Sequence, residues 1–157
     1  MKPILDLRIH HFFDIIRDFG GGREIKPHPH GHSFHKIAAL IKKDPYVKFR
    51  LVIKCDAACQ ECIHMVNGHC EDIITYLKDF TSKEEFNNFI DKRIMGKYGL
   101  NMGDITTPIL LIKKAQAYLD NIFFIYDGND IENTKRRKKN VIRGIKLYTQ
   151  WHKLRNN

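Results

Sequence analysis

The chain has 157 residues, of which 43% are hydrophobic and 29% are charged. This length and balance predict one domain, covering residues 1–157, with an ordinary buried core. They exclude intrinsic disorder, collagen-like repeats and low-complexity scaffolds.

The basic charge is concentrated at the C-terminus. Residues 131–157 hold nine of the 27 Lys and Arg residues and one of the 18 Asp and Glu residues, which accounts for +8 of the net charge of +9. Such a surface suits an acidic partner such as RNA, DNA or a phosphorylated protein, although a solvated helix face has the same composition. The candidate nucleic-acid contacts are Lys135, Arg136, Arg137, Lys138, Lys139 and Arg143.

No segment is predicted to cross a membrane. The longest apolar segment, 109–126, is interrupted by three charged residues, whereas a span needs about 18 apolar residues or more. Near the N-terminus, Asp6, Arg8 and His10 stand where a signal peptide would be apolar. We therefore expect a cytoplasmic protein without a membrane partner.

The first third of the chain predicts two helices and a strand. Apolar residues at helical spacing in 9–16 predict a helix that stops at glycines 20–22, followed by a loop through residue 32. Ser33 can cap a second helix, which ends before Asp44-Pro45. Residues 46–54 alternate apolar and mostly basic side chains, which predicts a strand, with a possible partner near residues 3–8.

Four further helices are predicted after the cysteines. Residues 71–80 have a helical pattern, and Thr81 or Ser82 begins another helix through about Tyr98. Thr107-Pro108 opens a long helix, which ends at Asp127-Gly128 and whose wide apolar face predicts the central helix of the core.

Asp130 can cap the last helix, the basic C-terminal helix of 131–157. The predicted fold class is therefore mainly α (α+β). It is a single helical domain with one or two short strands beside a cysteine-rich loop.

All four cysteines lie within sixteen residues, in the pattern C-x3-C-x2-C-x7-C formed by Cys55, Cys59, Cys62 and Cys70. Disulfides are rare in the cytoplasm, and a domain of this size does not need them. Unrelated core cysteines would be scattered along the chain. The cluster therefore predicts that these four residues bind a metal ion or an iron–sulfur cluster.

The spacing favours an iron–sulfur cluster of the [4Fe–4S] type over zinc. Structural zinc sites use two short-spaced cysteine pairs, whereas here three thiols are close together and one follows. Radical S-adenosylmethionine enzymes share the C-x3-C-x2-C spacing, but their barrel needs far more than 157 residues. If Cys70 completes the ligand set, the cluster suits electron transfer; if it does not, one iron is open to substrate. His64 and His69 are alternative ligands, or they tune the potential.

Two groups of histidines lie outside the cysteine cluster. Arg8, His10 and His11 form an Arg-x-His-His sequence, in which one histidine can serve the cluster as an acid–base group while its neighbour packs or caps. The second group comprises His28, His30, His32 and His35. Its glycine-containing loop has no nearby carboxylate except Glu24, and we therefore expect only adventitious metal binding there.

These features together resemble a family of small bacterial and archaeal proteins of unknown function, with a Leu-Arg-Pro-His-His start and a cysteine-rich middle. The resemblance covers about residues 5–125 and is carried by Arg8, His10, His11 and the cysteines. Ile9 stands in place of the family's proline, and Asp14 stands where a cysteine often follows the histidines. If that cysteine is a ligand in the relatives, this chain must use another residue, such as Cys59. The resemblance implies an iron–sulfur cluster and no established activity.

The sequence leaves two hypotheses. The first is a small cytoplasmic iron–sulfur protein with redox or cluster-based chemistry, including desulfuration, acting with a redox partner or a small-molecule substrate. The alternative is a zinc-stabilised module that binds nucleic acid through the basic C-terminal helix.

Overall fold

Helices dominate the computed structural model, which describes residues 2–126 and 130–153. Its five helices within these residues are α1 (Ile9–Gly20), α2 (Phe34–Lys43), α3 (Lys83–Tyr98), α4 (Pro108–Gln116) and α5 (Ile131–Trp151). Its strands are β1 (Leu5–Leu7), β2 (Phe49–Leu51), β3 (Met65–Val66), β4 (His69–Cys70) and β5 (Ile105–Thr106). The predicted mainly α (α+β) single domain is confirmed.

Helix α1 lies at the centre of the core, because its apolar residues are buried on more than one side. The fully buried ones are Ile9, Phe12, Phe13, Ile15 and Ile16. Helix α5 packs along α1. The prediction that residues 108–126 form the central helix is therefore wrong.

Two glycines allow α1 and α5 to approach closely. A Cβ atom added at Gly144 would overlap the Ile16 carbonyl oxygen and lie 2.8 Å from its carbon, and one added at Gly20 would overlap the Asn140 carbonyl oxygen. Only a residue without a side chain fits at such a crossing. Near the C-terminal end of α5, the Tyr148 hydroxyl donates a hydrogen bond to the Ile41 carbonyl oxygen (2.7 Å). This bond fixes α2 against α5.

The three-stranded sheet has β2 at its centre. Strand β1 runs parallel to β2, with Leu5 opposite Phe49 and Leu7 opposite Leu51, and β5 pairs antiparallel on the other side. Phe49 and Leu51 are buried while Arg50 is exposed, as the alternating pattern predicts. The strand is shorter than the predicted 46–54, its partner near residues 3–8 is confirmed, and β5 was not predicted.

Two predicted helices are corrected. Residues 71–80 form an irregular segment with bends rather than a helix, because their backbone hydrogen bonds cross to the next segment: the Ile74 N–H donates to Thr81 O (2.8 Å) and the Lys83 N–H to Asp72 O (3.1 Å). The long helix from Thr107 ends at Gln116, and residues 119–125 continue as 3-10 turns with a kink at Asn121. The predicted end at Asp127-Gly128 lies outside the described residues.

The predicted helix starts are mostly correct. Ser82, Thr107 and Asp130 accept hydrogen bonds from the first turns of α3, α4 and α5. Ser33 precedes α2 but donates its hydroxyl to the Gln60 carbonyl oxygen instead (3.3 Å). The basic helix ends at Trp151, and residues 154–157 lie outside the described part of the chain.

None of the helices formed by residues 2–126 and 130–153 combines the length and the apolarity that crossing a membrane requires.

Candidate functional site

The four cysteines line the same cavity, which has a volume of about 630 Å³. Cys55 follows β2, Cys59 ends a short 3-10 turn (Ala57–Cys59), and Cys62 begins the approach to the β3–β4 hairpin, in which Cys70 is the last residue. All four are half-buried free thiols. The structure thus gathers the cysteines of the predicted ligand set around a common space.

Local hydrogen bonds shape the first part of the segment that contains the four cysteines (the cysteine loop, residues 55–70). The Asp56 carboxylate accepts from the Ala58 N–H (3.0 Å), and the Asp56 carbonyl accepts from the Cys59 N–H (2.9 Å). The Cys62 N–H then donates to the Cys59 carbonyl (3.1 Å). Successive tight turns therefore hold three thiols close together in the chain.

A two-residue turn returns the fourth thiol to the others. Asn67 and Gly68 both have positive φ angles, 50° and 81°, as the favoured hairpin turn requires. The turn pairs Met65 with Cys70. An Asn-Gly pair is a strong hairpin signal, and it was overlooked in the sequence.

Two of the four thiols, those of Cys55 and Cys59, have a pKa that their surroundings raise. Burial, followed by the nearby Asp56 carboxylate, raises the pKa of Cys59, whose Sγ lies 3.4 Å from Asp56 Oδ1. Burial also raises the pKa of Cys55, although the Cys59 thiol and Arg8 act in the opposite direction. Metal binding must therefore release protons from this loop.

No three of the four cysteine sulfurs, all of which belong to described residues, lie within 4.8 Å of one another, although the Cys59 thiol is hydrogen-bonded to Cys55. A Zn–S bond of about 2.3 Å places tetrahedral sulfur ligands about 3.8 Å apart. Among residues 2–126 and 130–153, the one group of three ligand atoms within 4.8 Å of one another is His30, His64 and Asp72, and it contains no cysteine. Binding of one zinc ion by all four thiols would therefore require the cysteine side chains to move closer together.

Arg8 and His10 are buried together on one carboxylate. The Arg8 guanidinium donates to Asp91 Oδ2 (2.7 Å) and to Asn88 Oδ1 (2.9 Å), while the His10 N–H and Nδ1 contact Asp91 Oδ1 at 3.0 and 2.8 Å. Burial alone would raise the pKa of Asp91, but His10 and then Arg8 outweigh it and lower that pKa. This ion-pair network fixes the N-terminus of α1 to α3.

His11 points to the cysteine loop instead. Its Nδ1 lies 2.9 Å from Asp56 Oδ2, which also accepts from the Arg8 N–H (2.6 Å). Burial alone would lower the pKa of His11, but the Asp56 carboxylate raises it above the ordinary value. Burial alone would raise the pKa of Asp56, but the charge of His11 and its hydrogen bond outweigh burial and lower that pKa to about 2. His11, Asp56 and Cys59 therefore form a continuous polar chain.

Asp56 and Asp91 are the site residues that sequence reasoning missed. Asp56 stands next to Cys55, so its position inside the cysteine motif was an available signal. Asp91 is fully buried in the middle of α3, and nothing local in the sequence indicates that an arginine 83 residues away will meet it.

The loop that carries His28, His30 and His32 (the histidine loop, residues 28–32) is held against the cysteine loop. The Ser33 N–H donates to the Ala58 carbonyl (2.8 Å). Gly31 has a φ of +77°, and a Cβ there would lie 2.6 Å from the Glu61 carbonyl oxygen. His35 is half-buried at the start of α2. The two loops therefore form one surface.

This docking changes the surroundings of the loop histidines. The His28 ring stacks on that of His32, with centroids 4.4 Å apart, and the His30 ring lies 4.5 Å from that of His64. Burial, then the charges of His28 and His11, lowers the pKa of His32 to about 4. The expectation that the loop has no carboxylate besides Glu24 is wrong, because Asp72 lies beside His30.

The basic residues of α5 differ in their surroundings. Lys135 pairs with Glu132, Arg136 with Asn133, and the Lys138 ammonium donates to the Asp120 carbonyl. The Arg137 guanidinium lies over the Tyr126 ring and at the edge of the cavity. Lys139 and Arg143 are exposed.

No family model matches the chain, and the comparisons with curated proteins and with solved structures gave no match either. The resemblance to the small Leu-Arg-Pro-His-His proteins therefore stays a prediction.

Proposed function

We propose that this chain is an iron–sulfur protein in which Cys55, Cys59, Cys62 and Cys70 hold one [4Fe–4S] cluster for redox or cluster-based chemistry. The observation that carries the proposal is that four free, half-buried thiols line the same cavity. The C-x3-C-x2-C spacing of the first three cysteines suits a multi-iron cluster better than one zinc ion. Free thiols also fit a reducing compartment, and we propose that the protein works in the cytoplasm.

The surrounding residues supply what such a cluster needs from a protein. When bound, the cluster would supply one-electron transfer, or a Lewis-acidic iron if one position is left open. Arg8, buried near Cys55, contributes positive charge beside the thiolates. His11, whose Nδ1 faces Asp56, lines the cavity and is a candidate acid–base group for a substrate there.

Elemental analysis of protein purified without oxygen tests the proposal. We expect a brown protein with a broad visible band and comparable amounts of iron and acid-labile sulfide. Cys62→Ser should lose the iron and sulfide. His69, named above as an alternative ligand, does not line the cavity; its ring is exposed and its Nδ1 lies 3.2 Å from Glu84 Oε2. The matched control His69→Ala should therefore keep both. A colourless wild-type protein with zinc on the cysteines would refute the cluster.

Cys70→Ser separates the two forms of the proposal. If Cys70 is a ligand, its loss should remove the cluster or convert it to a species with less iron. If Cys70 is not a ligand, the cluster should persist, and a small thiol or acid added to the wild type should shift its spectrum. The first result assigns electron transfer to the site, and the second assigns substrate binding.

The alternative, a zinc-stabilised nucleic-acid-binding module, has one observation in its favour. Arg136, Lys139, Arg143 and Lys146 are exposed and follow one another at intervals of three or four residues, which places them along one face of α5. Binding of an RNA or DNA duplex through them should weaken steeply with salt. Combined Lys139→Glu and Arg143→Glu should abolish that binding, while neither change should affect iron or sulfide.

A further inference from the structure

A compact set of metal-ligand side chains lies beside the cysteines without including them. His30 comes from the histidine loop, His64 precedes the β3–β4 hairpin, and Asp72 follows it. One donor atom of each lies within 4.8 Å of those of the other two. All three residues are half-buried at the cavity wall. The set is therefore assembled from three separate positions of the chain.

Backbone hydrogen bonds anchor the two histidines. The His30 carbonyl accepts from the Ile63 N–H (2.8 Å), which places His30 directly beside the residue that precedes His64. The His64 carbonyl accepts from the Glu71 N–H (2.8 Å), across the base of the hairpin. These bonds reduce the ordering cost that a free glycine-containing loop would impose on metal binding.

The Asp72 carboxylate is oriented by two donors. Its Oδ1 accepts from the Ile73 N–H and its Oδ2 from the Lys83 ammonium, each at 2.9 Å. An ionised carboxylate offers about four acceptor positions, so two remain available to a cation. Hydrogen-bonded carboxylates of this kind are usual among metal ligands.

We infer that His30, His64 and Asp72 bind a single divalent transition-metal ion at a second site, separate from the cysteines. Two imidazoles and one carboxylate form the ligand set of open non-haem Fe(II) sites and, with a water, of catalytic Zn²⁺ sites. Ligands at about 2.0–2.2 Å from a tetrahedral ion lie about 3.3–3.6 Å apart, a spacing that side-chain rotation can reach from the observed one. Three protein ligands leave positions open to water or a small ligand.

Zinc binding to the full chain tests the inference. Equilibrium dialysis is done without oxygen, and zinc, iron and sulfide are measured on the same sample. We expect one Zn²⁺ per chain in addition to the iron and sulfide of the cluster. His64→Ala and Asp72→Asn should each weaken its binding about 100-fold or more, beyond the roughly 10–100-fold typical of outer hydrogen-bonding partners. The control His69→Ala lies on the same hairpin but faces Glu84, and it should keep the wild-type affinity.

A second variant separates this site from the proposed cluster. Cys62→Ser should remove the thiolate site and leave one zinc bound at the histidines and Asp72. If the cluster proposal fails and zinc occupies the cysteines, the wild type should bind two zinc ions, of which Asp72→Asn loses one. Equal zinc affinity in the wild type and in Asp72→Asn would overturn the inference, because the histidines alone would then account for the binding. Loss of all zinc in Cys62→Ser would overturn it too.

Discussion

Replacing Gly144 with Ala should destabilise the fold through the α1–α5 crossing. The new methyl group would overlap the Ile16 carbonyl and lie 2.9 Å from the Ile16 Cγ2 atom. The overlap is with backbone, so the two helices would have to separate by about 1 Å, which forfeits a quarter to a half of the dispersion energy at the contact. Overpacking costs about 3 kcal/mol in such a case, and alanine's helix propensity returns about 1 kcal/mol. The expected net loss is about 2 kcal/mol.

Gly96→Ala is the matched control, because Gly96 lies near the end of α3 with no atom within 4 Å of an added Cβ. The same substitution there should stabilise the fold by up to about 1 kcal/mol. For a chain of this size, thermal unfolding followed by circular dichroism should show Gly144→Ala about 4–8 °C below the wild type and Gly96→Ala about 2–4 °C above it. Equal shifts in both variants would refute the reasoning, since only the close crossing distinguishes the two sites.

Three further predictions concern the loops and the buried polar groups. Gly31→Ala should release the histidine loop and lower zinc retention several-fold, whereas Gly22→Ala, with a similar positive φ but open space around it, should not; zinc content after dialysis compares them. Tyr148→Phe should cost about 1 kcal/mol in urea unfolding, because it leaves a buried carbonyl unpaired. Asp91→Asn should cost about 3 kcal/mol at neutral pH, because it removes the counter-charge of a buried guanidinium. Since the fold lowers the pKa of Asp91 from 3.8, its contribution is present above that pH and is lost as the pH falls through the folded pKa, so unfolding curves of the wild type and this variant should converge in acid.

The sequence predicted those elements whose signals are local. The start of α3 at Ser82, the start of α4 at Thr107-Pro108 and the cap of α5 at Asp130 depend on side chains within one turn of the helix end. The alternation around Phe49 likewise predicted a strand with one buried face. Here the periodicity and the cap agree, and no distant contact competes with them.

The failures occurred where distant contacts decide the backbone. Residues 71–80 have enough apolar residues for a helix, but their amide groups bond to residues 81–83, which no periodicity indicates. The apolar residues of 107–126 follow one helical face in sequence, yet Leu111 and Ile122 reach the core from two segments separated by the kink at Asn121. The central position of α1 depends on two glycines that are 124 residues apart in the chain.

The sequence pointed to the cysteines of the candidate site but not to the contacts that bring the site together. The cysteine spacing indicated four sulfur donors. The sequence did not indicate that Arg8 and His10 would contact Asp91 on α3, or that His11 would contact Asp56. The histidine loop gave a weak signal because its carboxylate lies about 40 residues further along the chain. Docking through Gly31 and the Asn67-Gly68 turn brings these groups together.

The β3–β4 hairpin links the two proposed sites, and this link constrains how they could act. The cysteine site takes Cys62 from before the hairpin and Cys70 from its end. The second site takes His64 from just before the hairpin and Asp72 from just after it. Soft thiolates favour iron–sulfur clusters, and imidazole with carboxylate favours single divalent ions, which gives each site its own preference. The hairpin is already held by its Met65–Cys70 and Val66–His69 pairs and by the hydrogen bond from the Glu71 N–H to the His64 carbonyl. Each site can therefore be loaded without the other, and zinc at the histidines and Asp72 should survive the loss of the thiolate site.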